Sequence, residues 1–475
     1  MTRLDPTDLD ALRSHLAATS EALKPLTVQE IRIASDALAE LPDVVRRRGA
    51  GDRPTALAMD ATPMLRAGTS VKPEVVTGLR SVAGDRLKVI ELGSVEHPPH
   101  AEAEDARALA RRVRDAEVVI AFGSGTVTDL AKHAVYLNEF DAGQPGHART
   151  LIVCPTACTV TAYTSTMSIL TTDGVKRTAA SRGPDVVLVD LTLVADAPPA
   201  LTAAGFGDMM ARCVAPGDWL LAHRLGLDPD FSTVPLDLLA HAEAMLFNHA
   251  AGIGRGEPAA VRHLVDALLL AGIAMSVANQ TAPISGWEHT MSHYFDLRHA
   301  GTGHPLALHG AQVGAGTLVA ARAYDALIAE PSVHAAAGLD RDENATRERL
   351  VDHFSPFAST EATINELWHD YRGKWSQWAG NQDTLRRFDE AWTTGTLRSE
   401  LRSFVRPADT IARALADVGA PLDLAVSAGC ARETARDAVR FSHLVRQRFT
   451  LGDVLAALGR LTDENIDAWM SPSTS

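Results

Sequence analysis

The run Ala116-Glu-Val-Val-Ile-Ala-Phe122 passes without a break into Gly123-Ser-Gly-Thr-Val-Thr-Asp-Leu-Ala-Lys132, so an apolar strand turns through two glycines into a helix. This junction constrains the fold more than any other stretch. A strand that is apolar on both faces belongs in a parallel sheet covered by helices. The glycines let the backbone come close to an anion without a Cβ in the way, and the free N–H groups at the helix start attract its charge. Such geometry cradles phosphate. The third glycine of the GxGxxG dinucleotide fingerprint is absent, so the motif alone is compatible with either a phosphate loop or a tight turn.

The flanking sequence repeats the pattern. Strands are expected at residues 55–60, 87–92, 116–122 and 151–154, with helices at 73–82 and 102–114 between them. The spacing of about 30 residues suits βαβ units and a parallel sheet. Between Ser165 and Asp190, β-rich segments flank Asp173-Gly174, a strong hairpin signal, and an antiparallel excursion is expected there. From Pro198 onward strand character disappears. Ala- and Leu-rich segments at 236–250 and 259–279 read as helices. The fold class expected is α/β: a Rossmann-like parallel sheet over residues 1–197, then an all-α domain over 198–475. A polar stretch at about 329–405, containing Asp340-Arg-Asp-Glu-Asn and four of the seven tryptophans, reads as a solvated helical insertion.

With 475 residues, 46% hydrophobic and 22% charged, the chain is long enough for a large core, and for two domains plus insertions or for three domains. The net charge of −14 would repel nucleic acid and anionic membranes, which leaves a small diffusible ligand as the expected partner. The start, MTRLDPTDLDALRSHL, carries acids where a signal peptide needs an apolar run, and the apolar stretch Ala267 to Ala278 is short for a membrane span. A cytoplasmic location is expected. Four cysteines, Cys154, Cys158, Cys213 and Cys430, make no disulfide framework, and the first two read as small buried hydrophobes rather than half a zinc knuckle.

Two further features carry chemistry. Asp60, closing its strand, stands where an acid can bond the ribose hydroxyls of a nicotinamide cofactor, or where a simple turn acid would stand. His289, His293, His299, His304 and His309 put five of 18 histidines into 21 residues, where even spacing predicts fewer than one. His289 and His293 share a helix face, and imidazoles converging with one carboxylate make a three-ligand divalent-metal site open to water or substrate. His299 and His304 fall in a Gly-rich connection and read as surface or outer residues. Asp208, in Gly205-Phe-Gly-Asp-Met-Met-Ala-Arg212, reads equally as an N-terminal helix cap or as a ligand.

Taken in order, these motifs resemble the glycerol-1-phosphate dehydrogenase family, within the superfamily of iron-containing alcohol dehydrogenases, glycerol dehydrogenases and dehydroquinate synthases. The segment 123–132 looks like the family's GGGTxxDxxK loop, and Pro155-Thr-Ala-Cys-Thr-Val-Thr-Ala-Tyr-Thr-Ser165 looks like its PTAxSxDGxxS loop. Asp173-Gly-Val-Lys-Arg-Thr178, Gly205 to Asp208, Ser285-Gly-Trp-Glu-His289, Leu308 to Gly314 and Arg448 to Leu455 follow in the family's sequence. The resemblance implies a dehydroquinate synthase-like fold with the active site in the cleft between its two domains.

Carried over, it also implies Asp208, His289 and His309 as ligands of one divalent metal (Zn, Fe or Ni), with His293 beside it as a polar or proton-relay group. It implies NAD or NADP over Gly123, Ser124, Gly125 and Thr126, lined by Thr156, Thr159, Ser165 and Met167, with Asp60 on the ribose. The expected reaction interconverts a small polyol and its ketone, the polyol phosphorylated if Lys176 holds a phosphate; the assembly expected is compatible with a homo-oligomer. One departure stands out: Thr161-Ala162 replaces the family's Asp-Gly, so the substrate loses a fixed carboxylate there. Two alternatives accompany this reading. One is a cyclase or lyase of the dehydroquinate synthase kind, which resembles this chain except for glutamate where Asp208 stands; the other is a non-catalytic homologue.

Overall fold

A computed structural model describes residues 4–19, 21, 23–48, 53–141, 143, 149–304, 306–335, 342–358 and 360–471. Asp340 and Arg341 of the polar stretch lie outside them. The strands are β1 (Glu30–Ala34), β2 (Thr55–Asp60), β3 (Leu65–Arg66), β4 (Thr69–Ser70), β5 (Leu87–Leu92), β6 (Val118–Gly123), β7 (Thr150–Pro155), β8 (Met167–Thr172), β9 (Val175–Ala180) and β10 (Val186–Asp190). Six of them form one sheet in the order β1-β10-β7-β6-β2-β5, parallel throughout. β6 lies near its middle and is buried along its whole length, as its unbroken apolar run requires. Leu57, Ile120, Phe122, Ile152, Val186 and Leu188 pack on one face in a single apolar cluster.

The excursion after β7 is narrower than expected. β8 and β9 pair across Asp173 and Gly174, whose φ angles of 50° and 78° give the two left-handed residues that a tight hairpin needs. β10, however, returns to the main sheet and pairs in parallel with β1 and β7, so 186–190 is no part of the antiparallel piece. β1 itself, with charges alternating in Glu-Ile-Arg-Ile, was not anticipated.

The chain forms two compact units that are not simple halves. The first comprises residues 1–172, 177–206 and 234–280, and the second 173–176, 207–233 and 281–475. A break at 197/198 is therefore not what the packing gives. The helix Pro258–Ala278 counts with the sheet, because Thr164 Oγ1 donates to the Leu269 carbonyl at 2.6 Å and Ser276 Oγ accepts the Thr166 N–H at 2.9 Å, and Val234–Gly254 packs against it. Gly272 makes this close fit possible; a Cβ there would meet Thr164 Oγ1 at 2.2 Å. Pro258–Ala278 is also the one described helix long and apolar enough to cross a membrane, and 83% of its apolar 18-residue window is buried within the protein, as in a core helix.

In the second unit the described residues of the polar stretch are mostly helical and only half solvated. Its helices Glu343–Phe354, Glu361–Gln377, Gln382–Thr393 and Thr396–Phe404 bury Leu350 and Phe354, Leu367 and Tyr371, Phe388 and Trp392, and Leu397 and Leu401. Residues three or four apart share a helix face, so each helix presents a continuous apolar stripe. Lys374 is buried as well and pairs with Asp453 at 2.9 Å.

Candidate functional site

In the first unit, β6 runs into the helix Gly125–Asp141 within two residues. Both glycines of the turn are closely packed: a Cβ on Gly123 would meet Val127 Cγ2 at 2.6 Å, and one on Gly125 would meet Val160 Cγ2 at 2.3 Å, so a larger residue at either position would have to displace a valine. The first N–H groups of this helix, around Ser124, Gly125 and Thr126, have no intrahelical acceptor and suit an anion.

The Asp129 and Lys132 that complete the motif do something else. Lys132 is fully buried, and its ammonium bonds Asp129 Oδ1 at 2.9 Å, the Ala162 carbonyl at 2.9 Å and the Met167 carbonyl at 2.5 Å. Burial lowers its pKa, against the raising effect of Asp129. The lysine thus ties the helix to the Thr161–Thr164 turn and to the start of β8.

The other expected cofactor residues lie along the connection from β7 to β8. Thr156 N donates to the Gly123 carbonyl at 3.1 Å, which holds the two loops together. Thr159 Oγ1 is 3.1 Å from the Tyr163 hydroxyl, and Ser165 Oγ accepts the Met167 N–H at 3.0 Å, so both hydroxyls are engaged in shaping the connection. Thr161 is buried in the turn. Asp60 ends β2, and its carboxylate accepts the Thr62 N–H at 2.9 Å, a turn interaction that leaves acceptor capacity over.

In the second unit three helical segments converge. Asp208 sits in the last turn of Pro199–Met210, only 2% exposed, and not at a helix start; the N-cap reading is therefore set aside. A buried acid at the negative end of a helix needs a positive partner. His289 lies in the first turn of Trp287–Thr302, and His309 opens His309–Ala329. His289 Nε2 is 3.4 Å and His309 Nε2 3.7 Å from Asp208 Oδ1, and one ligand atom from each of the three lies within 4.8 Å of the others.

Glycines permit the convergence. A Cβ on Gly207 would meet the Gly310 carbonyl at 2.3 Å, and one on Gly314 would meet Gly207 Cα at 3.0 Å, so the backbones touch where the short side chains must meet. One carboxylate and two imidazoles are a donor set that fits Zn²⁺, Fe²⁺ or Ni²⁺.

The electrostatics differ across the cluster. Burial disfavours a charged His289, but Asp208 and Glu288 outweigh it and push the ring up to about 9. Burial and the charge of Lys176 bring His309 down to about 4. His293, buried with its ring 6.1 Å from that of His309, is held well below the ordinary value by burial and by Arg446. Among the described residues its Nδ1 has no hydrogen-bond partner. Lys176 lies 3.2 Å from Asp296 rather than free in solvent. His299 and His304 stand at the far end of the helix, His299 Nδ1 against the His304 carbonyl, and take no part in the cluster.

Several residues at this site were missed in the sequence. Glu288, adjacent to a named histidine, is one; Ser292, Gln312, Asp296 and Arg446 are others. Glu288 and Gln312 carried a signal, since each lies inside a motif already singled out.

Residues 32–198 match the family model of iron-containing alcohol dehydrogenases. A glycerol-1-phosphate dehydrogenase [NAD(P)+] of Methanothrix thermoacetophila is 31% identical over 299 residues, 61% of this chain and 79% of that protein. One of Bacillus velezensis is 28% identical over 320 residues, 66% of this chain and 76% of its own length. Among solved structures, a probable glycerol dehydrogenase from Sinorhizobium meliloti superposes with a TM-score of 0.57 at 15% identity, covering 93% of this chain and 98% of that one, which is a likeness of fold. The chain belongs to the glycerol-1-phosphate dehydrogenase family.

Proposed function

We propose that the chain is an NAD(P)-dependent dehydrogenase that binds one divalent metal and interconverts a small polyol, phosphorylated as in glycerol 1-phosphate, and its ketone. The observation that carries the reading is the convergence of Asp208 Oδ1 with the Nε2 atoms of His289 and His309. A divalent ion held by these three would act as a Lewis acid on the substrate oxygen, where negative charge builds as hydride reaches or leaves the carbon.

The rest of the work belongs to the chain. Ser124, Gly125 and Thr126 offer the helix-start N–H groups to the cofactor's pyrophosphate, and Asp60 offers its spare acceptor to a ribose hydroxyl. His293, kept neutral by burial, can pass a proton through a ring nitrogen. Lys176 supplies a positive charge for a substrate phosphate. Asp208, where a dehydroquinate synthase-like cyclase would carry glutamate, supports net oxidation or reduction over an internal redox cycle.

The test is direct. Purified protein reloaded with Zn²⁺, Fe²⁺ or Ni²⁺ should oxidise NADH or NADPH with dihydroxyacetone phosphate. Because Thr161 supplies no carboxylate for a substrate hydroxyl, unphosphorylated and less hydroxylated ketones belong in the same assay. Failure with every ketone and both cofactors overturns the proposal.

A further inference from the structure

Glu288 is fully buried beside the cluster, and no step of the proposed reaction uses it. Its Oε1 lies 2.9 Å from His289 Nδ1 and also accepts the Gly286 N–H at 2.6 Å. Oε2 is buried with no hydrogen-bond partner among the described residues. Asp218 stands close by, accepting the Trp287 N–H at 2.7 Å, the Leu451 N–H at 3.0 Å and the Tyr324 hydroxyl, so the helix start that carries Glu288 and His289 is fixed from behind. Gly316 brings the next helix against the Glu288 backbone; a Cβ there would lie 3.1 Å from the Glu288 carbonyl oxygen.

A second, weaker version of this arrangement serves His309. Its Nδ1 is 2.8 Å from Ser292 Oγ, and that hydroxyl donates to Gln312 Oε1 at 2.7 Å. With its proton given to Gln312, the hydroxyl can only accept from the ring.

An acid buried with one oxygen unpaired is costly, and an apolar side chain of the same size would fit the interior at less expense. Its position next to His289 Nδ1 supplies a reason. An acceptor at one ring nitrogen keeps a proton there and leaves the other, here Nε2 beside Asp208, as the nitrogen whose lone pair a cation can take. A carboxylate does this more strongly than a hydroxyl, because the hydrogen bond is charge-assisted.

We propose that Glu288 is the positioning residue that fixes the tautomer and ring orientation of His289 for a divalent cation, with Ser292 and Gln312 doing the same more weakly for His309. This rests on the metal reading above.

The test measures cation binding and not turnover. Metal-free wild type, E288Q and S292A are titrated with Zn²⁺ against a chromophoric chelator, and Co²⁺ absorption bands report the geometry around the ion. E288Q should weaken Zn²⁺ binding by about 10- to 100-fold and shift the Co²⁺ bands, with a smaller loss in S292A. The metal-free melting temperature and NAD(P)H binding should stay near those of the wild type.

Zn²⁺ affinity within twofold of wild type in folded E288Q overturns the inference while leaving the metal reading intact. Wild type that binds no Zn²⁺ overturns the metal reading, and this inference with it. If E288Q does not fold, ¹⁵N-histidine-labelled, Zn²⁺-loaded wild type decides: Nδ1–H with ligation through Nε2 at His289 supports the inference, and the reverse arrangement overturns it.

Discussion

The glycine turn after β6 and the acid–imidazole cluster are built in opposite ways. The first is assembled from ten consecutive residues, 123–132, and its geometry follows from local rules: strand, glycines, helix start. The second draws on residues as far apart as Asp208 and His309, and it exists only because three backbones approach to contact at Gly207, Gly310, Gly314 and Gly316. A local motif survives small errors in packing, since its parts are linked covalently. A convergent one inherits every displacement of the helices beneath it.

The sharpest way to probe the contrast is to remove one convergent side chain. Asp208→Ala or His309→Ala should lower kcat/KM by about a thousandfold or more, the scale of losing charge stabilisation at the reacting oxygen, with an unchanged circular dichroism spectrum. Near-normal turnover in either variant would break the convergent half of the comparison.

Next in size is Lys132→Met in the local motif. It leaves Asp129 buried without its cation and should cost about 3–5 kcal/mol in urea unfolding. A loss under about 1 kcal/mol, small against that penalty, would mean that the lysine does not hold the loop.

Gly207→Ala against Gly125→Ala compares the two regions directly. The new methyl at 207 meets backbone, the Gly310 carbonyl, whereas at 125 it meets a valine side chain that can rotate. The first should cost about 1–3 kcal/mol and weaken Zn²⁺ binding; the second should cost less and weaken NADH binding instead. Equal costs would remove the distinction.

The smallest effect is a slope. His289 is held at about 9 in the metal-free chain, so its charged form stabilises the fold fully below its ordinary value of 6.5, and that contribution fades as the pH rises through 9. An incoming cation must displace the same proton. Zn²⁺ affinity, measured by chelator competition, should therefore climb about tenfold per pH unit from roughly 7 to 9 and then level off. His309, already near 4, adds nothing to the slope in that window.

Legibility in the sequence follows the same division. β2, β6 and β7 could be read because each is a nearly unbroken apolar run, β5 because Val-Ile stands between its charges at the expected spacing, and the hairpin because Asp-Gly marks its turn. β1 hid behind alternating charge, and β10 behind its proximity to the hairpin. The helices 234–254 and 258–278 are apolar on so many faces that their pattern gives no hint of which layer they cover. At the site, motif order pointed to Asp208, His289 and His309, but not to what surrounds them. Ser292, Gln312 and Asp218 matter through contacts made across 17 to 233 positions, and no spacing rule reaches that far.

Lys374 reaches from the polar segment to Asp453, a carboxylate that also caps its own helix through the Thr450 N–H at 2.8 Å. Anyone shortening this chain toward a minimal dehydrogenase would strand that acid in the interior. The excision and an Asp453 replacement must therefore be made together, so these helices cannot be lost in one genetic step without harm to the ground they rest on.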